Sequence, residues 1–289
     1  MLDAFMESKG DITPEEFRRS CSELTVLGEF SKFVWKNNET YTADIVIPNY
    51  SAADVTTGVK WTLETEDGTK VQSGELEAIE ALQGKVTKAG TIEADLSGVK
   101  TAQKLKLRLE MTEKPGAGIA PYATGDNDYS VWVYPDDVSE KTPDDVSVYT
   151  QFDNQAKKDL ENGKNVLIVS NGTSTALPQS KAVTFRPDFW SPMFHNADND
   201  GYVLGCYIDK EHPIFADFPT DTYADWQWYD LVSNSRSILL EGAPVSLKPM
   251  VQAIPTIDLD DRLGTLFEAK VGKGKLVVSS IDLLNKESA

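Results

Sequence analysis

Residues 58–76 read GVKWTLETEDGTKVQSGEL, and this stretch decides how the first half of the chain folds. Apolar and polar side chains alternate on both sides of Glu66-Asp67-Gly68. Alternation with a period of two is typical of half-buried strands, and a short acidic turn that ends in glycine suits a tight hairpin. The stretch therefore predicts two antiparallel strands, Gly58–Thr65 and Lys70–Leu76.

The same alternation continues in short runs on both sides of this hairpin. Seven short strands within about 105 residues, with no convincing helix, are typical of an immunoglobulin-like β-sandwich. We therefore expect an all-β domain over residues 29–136, in which Trp61 is the buried core tryptophan, although the paired cysteines are missing. The predicted strands are Ser31–Trp35, Thr42–Ile47, Gly58–Thr65, Lys70–Leu76, Val86–Ala94, Lys104–Met111 and Tyr129–Val133.

A second architecture follows the acidic, proline-containing linker at residues 135–145. Asn154–Asn162 is predicted to be a helix, and Val166–Val169 is a continuous apolar run, which is typical of a strand buried on both faces. A further helix is expected at Thr222–Ser233, with Thr220 or Asp221 as its cap. Strands that alternate with helices predict an open α/β three-layer domain over residues 137–289. Further strands are expected at Tyr202–Ile208, Arg236–Leu240, Met250–Ile254, Thr265–Val271 and Lys275–Ser280.

Aromatic residues are concentrated in the segment 185–229. It holds 12 of the 27 aromatic residues of the chain, both histidines and one of the two cysteines. Prolines interrupt the segment, and each proline lacks a backbone donor and disfavours helix at the residue before it. We therefore expect packed loops and short elements that either cover a scaffold or form a recognition surface.

Several stretches resemble the C-terminal accessory region of bacterial family 2 glycoside hydrolases, the β-galactosidase and β-glucuronidase-like group. They are Ile12–Arg19, Phe189–Phe194, His212–Thr220, Asp225–Asp230 and Arg262–Gly274. The resemblance implies a non-catalytic part of a carbohydrate-degrading enzyme, in which residues 1–28 are a helical stub from a preceding catalytic barrel. It also implies that residues 137–289 form a catalytically dead flavodoxin-like or class I glutamine-amidotransferase-like domain, truncated at its C-terminus. Within the stub, Thr13-Pro14-Glu15-Glu16 predicts a helix start with Thr13 as the N-cap.

Three tryptophans, Trp190, Trp226 and Trp228, are the candidate carbohydrate-binding residues. The apolar C–H faces of sugar rings stack on exposed indoles, which offer a large contact area. The alternative is that these side chains seal a core or dock the domain onto its neighbour. Since helical positions two apart point to different sides, Trp226 and Trp228 face one ligand only if the segment is irregular.

The sequence predicts no catalytic residue, no metal site and no cofactor. The two catalytic glutamates of the resembled family lie on its barrel, and no residue of this chain matches them. Cys206 lacks the glycine-flanked turn of an amidotransferase nucleophile, and its apolar surroundings favour a core position. A pairing with His195 or His212 nevertheless leaves a cysteine-dependent hydrolase or amidotransferase open. Gly272-Lys273-Gly274 is interpreted as a hairpin turn rather than a phosphate-binding loop.

The formal net charge is −18, with 46 acidic and 28 basic side chains. Nucleic acids and anionic membranes bind basic surfaces, so neither is an expected partner. The expected partners are the upstream catalytic barrel and an oligo- or polysaccharide. Besides the accessory role, a stand-alone carbohydrate-binding module that uses residues 185–229 stays open. A secreted parent enzyme would place the chain in the periplasm or outside the cell.

Overall fold

The computed structural model describes residues 4–10, 12–138, 141–170, 177, 179–183, 203–233, 235–255, 260–281 and 283. The chain divides into two compact units, residues 1–138 and residues 139–289. The described part of both units consists mainly of β-strands.

The first unit contains two β-sheets. One sheet has the strand order β1-β3-β6 and the other has the order β2-β8-β7-β4-β5. Neighbouring strands are antiparallel, except that β2 runs parallel to β8. The strands described in this unit are β1 Leu27–Glu29, β2 Val34–Lys36, β3 Thr40–Asn49, β4 Val55–Thr65, β5 Lys70–Ala81, β6 Lys85–Asp95, β7 Gln103–Met111 and β8 Asp126–Tyr134.

Side chains from the two sheets form one apolar core. Ile45 and Ile92 from the smaller sheet are buried together with Leu63, Leu107 and Val131 from the larger sheet. Successive residues of a strand point to opposite faces, so the predicted alternation supplies one apolar face to each sheet. The arrangement is consistent with the predicted β-sandwich.

The strands of this unit agree closely with the sequence prediction. All seven predicted strands overlap an observed strand, and the hairpin that joins β4 to β5 forms at Gly68, whose φ angle is +85°. Trp61 is buried in the core, as predicted. The three-residue strand β1 was missed, because so short a run does not display a period.

The helix α1, Pro14–Ser20, begins at the predicted N-cap. The backbone N–H of Glu16 donates to Thr13 Oγ1 at 3.2 Å, and the backbone N–H of Thr13 donates to Glu16 Oε2 at 2.8 Å. No residue of α1 is buried. Ion pairs hold the helix instead, from Arg19 to Asp126 at 3.3 Å and to Asp128 at 2.5 Å.

The described residues of the second unit form a mixed six-stranded sheet and a three-stranded sheet. The larger sheet has the order β12-β14-β16-β17-β10-β9, and the smaller has the order β11-β13-β15. The strands described here are β9 Val146–Tyr149, β10 Asn165–Val169, β11 Ser180–Val183, β12 Val203–Ile208, β13 Ser235–Leu239, β14 Val251–Pro255, β15 Leu263–Gly264, β16 Leu266–Val271 and β17 Gly274–Ser279.

The strand β10 is interior, as its continuous apolar run predicted, and it runs parallel to both β9 and β17. The helix α2, Asn154–Glu161, covers it: Ala156 and Leu160 pack against Val166 and Ile168. The other half of the sheet is antiparallel, from β17 through β16 and β14 to β12. Only part of the sheet therefore has the parallel arrangement that an open α/β domain requires.

The helix predicted at Thr222–Ser233 begins later than expected, and its cap is neither Thr220 nor Asp221. Residues around Tyr223 lie beside β12, since the N–H of Ile208 donates to the carbonyl of Thr222 at 2.7 Å and the N–H of Ala224 donates to that of Cys206 at 2.9 Å. These bonds hold the segment extended, and helical structure begins only after Asp225. It consists of a 3-10 helix, Trp226–Trp228, followed by the short helix α3, Tyr229–Val232.

A buried carboxylate joins α2 to β9. The Oδ2 atom of Asp159, a residue only 5% exposed, accepts hydrogen bonds from Tyr149 Oη and Ser147 Oγ, each at 2.9 Å. Gln155 Nε2 donates to Oδ1 at 3.2 Å, and Lys164 Nζ lies 3.3 Å from Oδ2. The bonds from Tyr149 and Ser147 stabilise the charged form, so they lower the pKa of Asp159.

Substitution of Gly74 by alanine is expected to destabilise the first unit. A Cβ atom at Gly74 would lie 2.8–2.9 Å from the indole of Trp61, its cross-strand partner. Such overpacking typically costs about 1–3 kcal/mol. Denaturant unfolding monitored by far-UV circular dichroism measures the loss. Gly98→Ala is the matched control, because no atom lies within 4 Å of its Cβ position; equal stability of the two variants would contradict the packing argument.

Substitution of Asp159 by asparagine is expected to lower stability at neutral pH but much less in acid. Because folding lowers the pKa of Asp159, its contribution is present at neutral pH and is lost as the pH falls below about 4. The measurement is the difference in unfolding midpoint between wild type and variant as a function of pH. Asp144→Asn, at a side chain that is 92% exposed, should show no such pH-dependent difference. If the difference in unfolding midpoint between wild type and D159N stayed constant down to pH 2, this interpretation would be wrong.

Candidate functional site

Among the described residues of the second unit, two pairs of exposed aromatic side chains lie within residues 207–229, and we call them together the aromatic platform: Tyr207 with Tyr223, and Trp226 with Tyr229. Their exposed fractions are 41%, 63%, 48% and 45%. The first pair has ring centroids 6.0 Å apart, with an angle of 71° between the rings. The second pair, Trp226 and Tyr229, has centroids 6.2 Å apart, with an angle of 42°.

The first pair is positioned by backbone pairing. Tyr207 lies on β12 between buried Cys206 and buried Ile208, so the alternation of the strand turns its ring outward. An antiparallel bridge joins Tyr207 to Tyr223. The bridge sets the two rings side by side, although 15 residues separate them in sequence.

The second pair is positioned by a capped 3-10 helix. Asp225 is the N-cap, and its Oδ1 atom accepts from the N–H of Trp226 at 2.7 Å. Tyr229 follows directly at the start of α3. Because a 3-10 helix has about three residues per turn, residues three apart lie on the same side, which brings Tyr229 next to Trp226.

The opposite face of the 3-10 helix Trp226–Trp228 packs into the core. Trp228 is 2% exposed and packs edge-on against Phe215 and Phe218, with ring centroids at 6.2 Å and 5.2 Å. Its Nε1–H donates to Thr220 Oγ1 at 2.7 Å. The side chain of the buried Gln227 donates to the carbonyl of Pro219, also at 2.7 Å. These contacts fix the helix and hence the orientation of the exposed rings.

The three tryptophans predicted to bind carbohydrate differ in their exposure to solvent or lie outside the described residues. Trp226 is exposed on the platform, Trp228 is a core residue, and Trp190 lies outside the described residues. Burial removes Trp228 as a stacking surface and agrees with the alternative that it seals a core. The sequence reasoning missed Tyr207, Tyr223 and Tyr229; the alternation along β12 and the spacing of three from Trp226 were the signals that could have identified two of them.

Cys206 is placed as a core residue. It is 1% exposed within the apolar cluster around β12 and β14, and burial raises the pKa of its thiol to about 12. A thiol with so high a pKa is almost entirely protonated at neutral pH and is a poor nucleophile. Of its two possible histidine partners, His195 lies outside the described residues. His212 caps the 3-10 helix Pro213–Phe215, with Nδ1 accepting from the N–H of Ile214 at 3.3 Å.

The glycine motif near the C-terminus forms a turn, as predicted. Gly272, with a φ angle of +59°, lies in the hairpin that joins β16 to β17, where Val271 pairs with Gly274. In the part of the chain that the structure describes, no group of three or more histidine, cysteine or acidic side chains is arranged to hold a metal ion. No helix among these residues is both long enough and apolar enough to cross a bilayer.

Comparison with known families identifies two regions. Residues 147–289 match the model of a domain of unknown function, DUF8487, and residues 39–135 match that of another, DUF8488. No curated protein sequence is detectably similar to the chain.

Weak structural neighbours include two glycosidases and a DNA glycosylase. Bacteroides uniformis β-glucuronidase 2 is 14% identical with a TM-score of 0.23, over 37% of this chain and 12% of its own. A putative β-galactosidase from Bacteroides fragilis is 8% identical with a TM-score of 0.25, over 50% and 24%. The Pseudomonas fluorescens alkylpurine DNA glycosylase AlkC is 10% identical with a TM-score of 0.29, over 39% and 31%. The aligned part is less than a third of each neighbour, and likenesses of this size carry no argument.

Native-state alkylation is expected to distinguish the two cysteines. Cys21 is exposed and Cys206 is buried with a raised pKa, so iodoacetamide at neutral pH should modify Cys21 and leave Cys206 unmodified. Peptide mass spectrometry locates the label, and unfolding in guanidinium should make both thiols reactive. Cys21→Ser provides the control, because the native variant should take up no label. Rapid native labelling of Cys206 would restore the cysteine-dependent alternative.

Proposed function

We propose that this chain is a non-catalytic accessory part of a family 2-like glycoside hydrolase and that its second unit contacts saccharide through the aromatic platform. The observation that carries the proposal is the pairing of exposed rings on a helix whose other face is locked in the core. Trp226 and Tyr229 form the outer pair, while Trp228 anchors the same helix from within.

The chemistry of the platform suits sugar rings. A pyranose presents an apolar C–H face and a rim of hydroxyl groups, and indole and phenol rings match the apolar face with large, amphipathic surfaces. The tyrosine hydroxyl groups and the carboxylates of Asp225 and Asp230 supply hydrogen-bonding groups at the edges. The platform therefore combines stacking surfaces with polar groups that a saccharide can use.

The platform is also pre-organised. Ordering of mobile side chains on binding costs free energy, so a surface that is already ordered binds more tightly for the same contacts. The Asp225 cap, the Trp228 hydrogen bond and the Gln227 hydrogen bond all fix the segment before a ligand arrives. This organisation supports recognition rather than simple coverage of the core.

The remaining parts of the proposal concern the whole parent enzyme. The family assignment rests on the resemblance of Ile12–Arg19, Asp225–Asp230 and Arg262–Gly274. We assign residues 1–28 to the junction with an upstream catalytic barrel, and the lack of buried residues in α1 supports a helix with an exposed surface that such a barrel could contact. The first unit is assigned an immunoglobulin-like sandwich over residues 29–136, and the second a degenerate amidotransferase-like domain over residues 137–289. The parallel strands β9, β10 and β17 with α2 support the latter assignment.

A stand-alone carbohydrate-binding module is the second candidate, and the same platform favours it. The two candidates differ in what lies upstream of the chain and not in the surface that contacts sugar. The cysteine-dependent hydrolase or amidotransferase is not proposed, because Cys206 is buried and its pKa is raised.

Saccharide titration of the full chain is expected to change its tryptophan fluorescence, because a sugar ring on Trp226 alters the surroundings of an exposed indole. We expect Trp226→Ala to weaken binding at least about fivefold, as removal of one stacked aromatic typically costs more than about 1 kcal/mol at a binding surface. Isothermal titration calorimetry with neutral hexasaccharides measures the affinity. No hydrolysis of nitrophenyl glycosides is expected.

Tyr50→Ala is the matched control for this experiment. Tyr50 is an aromatic residue of the first unit that is 63% exposed, as is Tyr223, but it lies outside the platform. The Tyr50→Ala variant should therefore bind saccharide as tightly as the wild type does. Loss of binding in Y50A but not in W226A would place the sugar site elsewhere, and turnover abolished by substitution of one carboxylate of this chain would overturn the accessory role.

A further inference from the structure

The platform lies in a strongly acidic part of the chain. Residues 203–233 carry six carboxylates and one lysine, Lys210, a larger acidic excess than the 46 to 28 ratio of the whole sequence. The carboxylates are Asp209, Glu211, Asp217, Asp221, Asp225 and Asp230.

Two of these carboxylates belong to the sequence neighbours of the outer ring pair. Asp225 precedes Trp226 and is fixed as the cap of its helix, and Asp230 follows Tyr229 at an exposed position of α3. A cation over the Trp226 ring would meet both the negative face of the indole and these charges. The same charges would repel an anionic sugar.

The angles between the rings bear on the shape of the ligand. Neither pair is coplanar, since the angles are 71° and 42°. A flat crystalline surface needs coplanar rings to stack on several sugars at once. A single chain can twist to follow tilted rings.

We propose that the aromatic platform selects single glycan chains that carry amino groups and discriminates against chains that carry carboxylates. This inference rests on the proposed function and specifies the class of saccharide that the aromatic platform binds. Stacking supplies contact with the sugar face, and the flanking aspartates supply the preference for positive charge.

The test is a set of titrations of the full chain in mildly acidic, low-salt buffer. The probes are matched β-1,4-linked hexamers of glucosamine, glucose and glucuronic acid, together with crystalline cellulose in a pull-down. We expect the glucosamine oligomer to bind about threefold to tenfold more tightly than the glucose oligomer, the size typical of one or two exposed ion pairs. The glucuronic acid oligomer should bind most weakly, cellulose should not retain the protein, and added salt should reduce the preference.

A double variant, Asp225→Asn with Asp230→Asn, removes the two flanking charges. Asparagine at 225 retains a side-chain oxygen that can accept the cap hydrogen bond, so the helix should persist. In this variant the glucosamine oligomer should bind no more tightly than the glucose oligomer, so the preference measured in the wild type should be lost. The control is Glu75→Gln with Glu77→Gln on exposed positions of β5, which removes the same charge from the first unit.

Each outcome is decisive. Equal losses in the two double variants would show that the attraction comes from the net charge of −18 and would overturn the inference. Equal affinity for all three oligomers, or retention on cellulose, would overturn it as well while leaving the saccharide contact intact. Failure of every saccharide to bind would instead overturn the proposed function.

Discussion

The burial of Trp228 is the constraint on which the candidate site depends. Its indole is 2% exposed among Phe215 and Phe218, and its N–H is satisfied by Thr220. A buried indole N–H without a partner would cost the desolvation of that group, so Thr220 allows a large amphipathic side chain to occupy the core. Once Trp228 is seated, the tight geometry of the 3-10 helix leaves Trp226 on the outside. The exposed ring is thus a consequence of the buried one.

In the first unit, the buried tryptophan Trp61 is accommodated in a different way. Trp61 lies across the antiparallel pair β4 and β5 from Gly74, whose missing side chain leaves space for the indole. The glycine is needed for this close approach and not for an unusual φ angle. Each unit thus has a buried tryptophan that depends on one neighbour: Trp61 on the small residue Gly74, and Trp228 on the polar residue Thr220. In the second unit, the position of Trp228 also orients the exposed ring of Trp226.

Local patterns predicted the strands well and their pairing poorly. Alternation identified seven strands of the first unit, and the apolar run Val166–Val169 identified the interior strand β10. The directions of β16, β14 and β12 were not predicted, because strand direction depends on partners that are distant in sequence. The first residues of the helix expected at Thr222–Ser233 are extended for the same reason, because their pairing with β12 outweighs their local preference.

The sequence by itself determined the period of the strands, the capping box at Thr13, the hairpin turns, the acidic charge and the concentration of aromatic residues. These properties depend on residues close together in the chain. Only the tertiary structure decided that Trp226 is exposed while Trp228 is buried, that Tyr207 joins Tyr223, and that Cys206 is enclosed. Exposure is set by which distant segments pack over a side chain, and the order of residues within one segment does not contain that information.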